Sequence, residues 1–105
     1  MQRADRVLAM LGMAARAGAV VPGTERVREA ARAGTLRLAV VAADASANSR
    51  DKLLPLLAGR DVPHVVRYSR VELGGAVGRS ALGAVGIVDA ALAGRLRDLL
   101  EEDGR

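Results

Sequence analysis

Apolar residues along this 105-residue chain fall into alternating helical and strand spacings. Val7, Leu8, Leu11, Ala14 and Ala15 recur at the interval of one helix face, and Gly18 follows, so a first helix is predicted over residues 4–17. Ala19-Val20-Val21 predicts a short strand closed by Pro22-Gly23. Thr24 is placed to cap a second helix reaching residue 33, with Val27, Ala30 and Ala31 facing inward and Gly34 as its stop. Residues 36–43 are almost continuously apolar, the pattern of a central strand covered on both faces. Residues 44–48 read as a turn, with Asn48 capping a third helix. Pro55 lacks a backbone donor and clashes with the preceding turn. A break is therefore expected near Leu54, with Pro55 opening a second short helix to residue 58.

Val62-Pro63 leads into a predicted strand over residues 64–67. Ser69-Arg70-Val71-Glu72 has the spacing of a capping box, in which Ser and Glu side chains satisfy the first free N–H groups of a helix ending near Gly78. Residues 84–88 form the last predicted strand. Asp89 then caps a final helix whose apolar face is Leu92, Leu96, Leu99 and Leu100. Helices alternating with short strands predict an α/β fold, a three-layer α/β/α sandwich around a small four-stranded mixed sheet. With no linker, repeat or low-complexity segment, residues 1–105 are expected to form one domain.

Composition narrows the chemistry. Half of the chain is hydrophobic, yet it has no Phe or Trp and Tyr68 is its sole aromatic, so Leu, Val and Ala must fill the core in thin, closely packed layers. The absence of cysteine removes disulfides, thiolate catalysis and cysteine metal sites. A lone His64 cannot form a zinc cluster, so neither metal nor cofactor is expected. The net charge of +4 favours a polyanionic partner. Fifteen of the sixteen basic residues are Arg, which suits bidentate phosphate recognition, although a GC-rich genome produces the same bias. Residues 1–37 carry seven Arg against three acids, while residues 98–103 carry four acids and no base. This asymmetry predicts one polyanion-facing side, or else a solvated helix face at each end. Arg3 and Arg6 before an apolar run resemble a signal peptide, but Asp5, Arg16 and the helical spacing favour a retained helix. No apolar run is long enough to cross a membrane, so a cytoplasmic protein without a membrane partner is expected.

Enzyme motifs are missing: the chain has no G-x-S-x-G elbow and no phosphate loop ending in G-K-S/T. The glycine-rich segment 74–78 follows a helix cap rather than a strand, which suits close helix packing and not a dinucleotide. His64 has no acid or nucleophile at a recognisable spacing and reads as a half-exposed residue of an edge strand. Asp44 follows a buried strand, where open α/β sheets seat ligands. Without a partner residue it reads first as tying down its own turn. A single Tyr cannot form an aromatic stacking platform, so any RNA would be held through phosphates, helix N-termini and loop edges. Pro22-Gly23-Thr24-Glu25-Arg26 offers such a helix start, with Arg26 and Arg28 adding charge; the alternative is an ordinary solvated helix.

Several segments in register carry a resemblance. Leu11-Gly12-Met13-Ala14-Ala15-Arg16-Ala17-Gly18, Val21-Pro22-Gly23 and Val40-Val41-Ala42-Ala43-Asp44-Ala45-Ser46 come first. Leu54-Pro55-Leu56-Leu57, Val62-Pro63 and Leu73-Gly74-Gly75-Ala76-Val77-Gly78 follow in the same order. Over nearly its whole length the chain resembles the bacterial branch of the ribosomal L7Ae family. The resemblance implies an RNA-binding domain for kink-turns, sharply bent RNA duplexes with sheared G·A pairs. It places helix contacts on Gly23, Thr24, Glu25, Arg26 and Glu29. Flanking contacts fall on Ser46, near Arg50, on Arg70, and on the loop Arg79-Ser80-Ala81.

Where the family typically carries Asn-Glu, this chain has Glu25-Arg26, and the family's basic residue one turn later is Glu29. Glu25 can still accept from a guanine N–H and Arg26 can reach phosphate or guanine, whereas Glu29 has the wrong sign for an anionic ligand. The expectation is a structured-RNA binder in a ribosomal or translation-related setting, with ribosome-associated proteins as further partners and no small-molecule substrate. The alternative is a protein-interaction adaptor that keeps the fold without a working RNA site. An enzyme centred on Asp44 ranks third.

Overall fold

A computed structural model of the chain describes residues 5–103. Residues 3 and 4, which enter the leader comparison and the predicted start of the first helix, lie outside them. The elements are α1 (Arg6–Arg16), β1 (Val20–Pro22), α2 (Thr24–Ala33), β2 (Leu38–Val41), α3 (Ala47–Gly59), β3 (His64–Val66), α4 (Arg70–Ala76), β4 (Ala84–Ile87) and α5 (Ala90–Asp103). The strands form one mixed sheet in the order β1-β4-β2-β3. β4 pairs antiparallel with β1 and β2, and β2 pairs parallel with the edge strand β3. Helices cover both faces, giving the α/β/α arrangement expected from the alternation of elements.

Strand side chains alternate between two cores, as the pleat requires. Leu38, Val40, Val85 and Ile87 pack with Val7 and Leu11 of α1, Leu73 of α4 and Leu96 of α5. Ala39, Val41 and Ala84 face the opposite way, against Val27 and Ala31 of α2 and Leu53 and Leu57 of α3. Twelve Leu, Ile and Val side chains among the described residues are fully buried. At about 1.5–3 kcal/mol each, they build a core without Phe or Trp. Gly86 permits close approach on the α2–α3 side: a Cβ there would stand 2.5 Å from Leu36 Cδ1 and 2.7 Å from Val21 Cγ2.

Helix termini follow local chemistry, with two shifts from expectation. Gly34 ends α2 in the left-handed conformation, at φ 76°. The Ser69–Glu72 capping box is complete, and Asp89 accepts from the Leu92 N–H at 2.9 Å. Thr24 is not the cap of α2. Gly23 takes that place at φ 97°, and Thr24 Oγ1 lies against the chain entering β4, 2.7 Å from where a Cβ on Gly83 would stand. Asn48 does not cap α3 either. Ser46 does so by accepting from the Ser49 N–H at 3.1 Å, which starts the helix at Ala47.

The expected break at Pro55 is overturned: α3 runs unbroken from Ala47 to Gly59 with Pro55 inside it. Pro55 and Asp51, four residues earlier, are both exposed, while Leu53 and Leu57 are buried. The carbonyl that loses its donor therefore faces solvent, and the apolar face holds the helix together.

Candidate functional site

Strand directions place four loops at one end of the sheet. β1, β2 and β3 end there and β4 begins there, because β4 alone runs antiparallel to its neighbours. Backbone contacts bind these loops into one surface. Gly23 donates to the Ala84 carbonyl at 2.8 Å, Ala42 to Gly83 at 2.8 Å, and Ala43 to Tyr68 at 2.8 Å. The Leu82 N–H donates to the Arg70 carbonyl at 3.0 Å, and Arg79 to Gly74 at 2.7 Å. Gly74 is required where the loop crosses α4, since a Cβ there would meet the Ala81 backbone nitrogen at 2.7 Å. The glycine-rich segment thus serves passage of a loop, while helix packing falls to Gly12, whose Cβ would lie 2.9 Å from the Ala76 carbonyl.

The predicted contact residues fall on four parts of this end. Gly23 and Thr24 open α2, with Glu25, Arg26 and Glu29 exposed on its first two turns. Ser46 caps α3 and Arg50 lies half-buried on its first turn. Arg70 begins α4, and Arg79, Ser80 and Ala81 form an exposed loop before β4.

Glu25 is paired with Arg28 at 2.8 Å across one turn, which neutralises the first carboxylate of α2. Arg26 and Arg79 have no ion-pair partner among the described residues. The positive charges of these exposed guanidiniums are thus available to a ligand, whereas Glu29, one turn along α2 from Arg26, keeps a carboxylate with no ion-pair partner among the described residues. Arg28 is not among the contacts that the resemblance implies. Its side chain is 18% exposed and its Nε, like that of Arg50, is buried without a hydrogen bond among the described residues.

Asp44 does not tie down its own turn. Its Oδ1 accepts the Arg70 backbone N–H at 2.7 Å, and its Oδ2 lies 3.8 Å from Arg70 Nε. The sequence signal for this pairing is only an acid at a strand end and a base at a helix start. His64 sits exposed on edge strand β3, with Nδ1 2.7 Å from the Val62 carbonyl oxygen.

Next to the loops, α5 brings its acidic end back toward the same end of the sheet. Asp103 pairs with Arg67 at 3.1 Å, and Arg67 lies over the Tyr68 ring at 4.9 Å. Tyr68 donates its hydroxyl to Asp5 at 3.0 Å. Partial burial, reinforced by the Asp5 carboxylate, raises the phenol above its usual range. Among the described residues no group of three or more His, Cys, Asp or Glu side chains could hold a metal ion. Nor is any helix among them long and apolar enough to cross a membrane.

Residues 5–96 match the model of the ribosomal protein L7Ae/L30e/S12e/Gadd45 family. The chain belongs to that family. A curated relative, the RNA-binding protein YlxQ of Bacillus subtilis, is 33% identical over 92 residues, covering 88% of this chain and 92% of the relative. A solved structure of a protein of unknown function from Bacillus halodurans superposes with a TM-score of 0.88 at 31% identity, covering 93% of this chain and 99% of that one. The Giardia lamblia 15.5kD RNA binding protein shares the fold, with a TM-score of 0.74 and 22% identity over 90% of this chain and 82% of its own.

Proposed function

We propose that this L7Ae-family chain binds structured RNA at the loop end of its sheet, with kink-turn-like elements as the preferred ligand. The observation that carries the reading is the joining of the Gly23 turn, the Asp44–Ser46 loop, the start of α4 and the 79–81 loop into one hydrogen-bonded surface. Gly23 opens the start of α2 without a Cβ, so an RNA backbone can approach N–H groups that carry partial positive charge. Exposed Arg26, Arg70 and Arg79 add charge from three separate segments. The relative named as an RNA-binding protein, which this chain matches over most of its length, supports the same ligand class.

A bent, irregular duplex suits this surface better than a straight one. A-form RNA has a major groove too deep and narrow for side chains to read, whereas a kink opens it to a helix start. The setting we assign is ribosomal or translation-related and cytoplasmic. The test compares dissociation constants for a kink-turn RNA and a straight duplex of equal length at two salt concentrations. Tighter binding to the kink-turn, weakening steeply with salt, is expected. Equal affinity for the two RNAs would remove the kink-turn preference, and no salt-sensitive binding to either would remove the RNA reading. RNA recovered with the protein from cells should be enriched in ribosomal or other kink-turn-containing species.

A further inference from the structure

Asp44 is an acid on the surface we assign to a polyanion, an arrangement that simple electrostatics disfavours. Its geometry supplies a reason. Arg70 is held from two sides: Asp44 Oδ1 takes its backbone N–H at 2.7 Å, and its carbonyl takes the Leu82 N–H at 3.0 Å. The first residue of α4 therefore joins the loop after β2 to the loop before β4. The Ser69–Glu72 capping box does not reach the Arg70 N–H: it satisfies the Ser69 and Glu72 N–H groups and leaves the first donor of α4 to Asp44. The Asp44–Arg70 ion pair is not the main term. It spans 3.8 Å between side chains that are 52% and 54% exposed, and such pairs contribute little. The short bond from a backbone N–H to a charged acceptor is the stronger contact.

We infer that Asp44 is a positioning residue for RNA binding: it fixes the Arg70 backbone between two loops and thereby aims the Arg70 guanidinium at the ligand. The inference rests on the RNA reading above, and the two fail in different ways.

The test measures kink-turn RNA affinity for the intact chain and for Asp44→Ala, Asp44→Asn, Arg70→Ala and the Asp44→Ala/Arg70→Ala double variant. If Asp44 acted only through its charge, Asp44→Ala would tighten binding. Positioning predicts the reverse, a loss of about tenfold, because a misplaced Arg70 forfeits its own charge-assisted contact with the RNA. Asp44→Asn, which keeps an acceptor oxygen for the Arg70 N–H, should retain more affinity than Asp44→Ala. The double variant should lose less than the product of the two single losses. Tightened or unchanged binding in Asp44→Ala, or fully multiplicative losses, would overturn the inference. Failure of the unaltered chain to bind RNA would instead remove the function it serves. Amide hydrogen exchange separates the two: Arg70 should exchange slowly in the unaltered chain and faster in Asp44→Ala, and unchanged exchange would show that Asp44 does not hold it.

Discussion

Gly74 and Ala81 meet backbone to backbone: a Cβ on Gly74 would stand 2.7 Å from the Ala81 nitrogen and 2.8 Å from its Cα. The contact lets the 79–81 loop cross α4, and the chain that follows it, Leu82 and Gly83, lies against Gly23 and Thr24 at the start of α2. Gly74→Ala should therefore destabilise the protein by about 1–3 kcal/mol, the usual cost of overpacking. It should also weaken RNA binding by displacing Arg79. Gly75, one residue on, is exposed, and a Cβ there would meet nothing within 4 Å, so Gly75→Ala should stabilise α4 by about 0.5–1 kcal/mol. Thermal unfolding of both variants, with RNA titrations alongside, checks the pair.

The elements are legible in the sequence because local signals agree with the fold. Apolar spacing locates α1, α2 and α5, the Ser69–Glu72 box locates the start of α4, and Gly34 marks the end of α2. Strand edges are less legible, because β2 ends at Val41 although apolar residues continue to Ala43. Pro55 misleads for a specific reason: its lost donor is a local penalty, while burial of Leu53 and Leu57 on the far side of the same helix is a tertiary gain. That balance makes a prediction. Pro55→Ala restores a donor for the Asp51 carbonyl on an exposed face, so it should stabilise the protein by about 1–3 kcal/mol. A lower midpoint in chemical denaturation would mean that Pro55 is required at that point.

Less of the site is legible. Motif positions supply the set of proposed contacts, but neither the Glu25–Arg28 pair nor the Asp44–Arg70 bond follows from spacing alone. Arg28 is within helix reach of Glu25, yet that same interval would also permit solvated, separate charges. Asp44 and Arg70 are 26 residues apart and meet only because β2 and β3 run parallel and end together.

Tyr68 links the loop before α4 to the start of α1 through its hydroxyl bond to Asp5, and gives alkaline stability a defined sign. Its phenol is held above the ordinary value of 10.0, first by burial and then by Asp5. Below that value the hydroxyl is protonated in both folded and unfolded chains, so its stabilising contribution is complete. As pH rises beyond it, the unfolded phenol ionises while the folded one keeps its proton, and stability falls. Tyr68→Phe should lose about 1 kcal/mol near neutral pH, the worth of one hydrogen bond. It should also show a shallower decline in melting temperature once the pH passes the ordinary phenol value. Parallel declines in the two proteins would remove Tyr68 as the source.

Arg26, Arg70 and Arg79 lie on three segments that the loop contacts bring to one end of the sheet, so their charges should act together on a single RNA. Reversing any one to Glu should replace attraction by repulsion at the surface we assign to the RNA phosphates. Losing a charge-assisted contact alone costs about 1.5–3 kcal/mol, and reversal should cost more. Arg95 and Arg97, exposed on α5, serve as controls and should change affinity little when reversed. Glu29 supplies a gain-of-function arm: Glu29→Lys removes the uncompensated carboxylate on α2 and should tighten binding several-fold, most at low salt. Dissociation constants for a kink-turn RNA and a straight duplex, each at two salt concentrations, read all six variants. Equal losses on both RNAs from Arg26→Glu would limit that side chain to phosphate contact, whereas a larger loss on the kink-turn would make it a reader of the G·A pairs. If the α5 arginines mattered more than Arg26, Arg70 and Arg79, the RNA would lie on another face, and the loop end would be free for a protein partner instead.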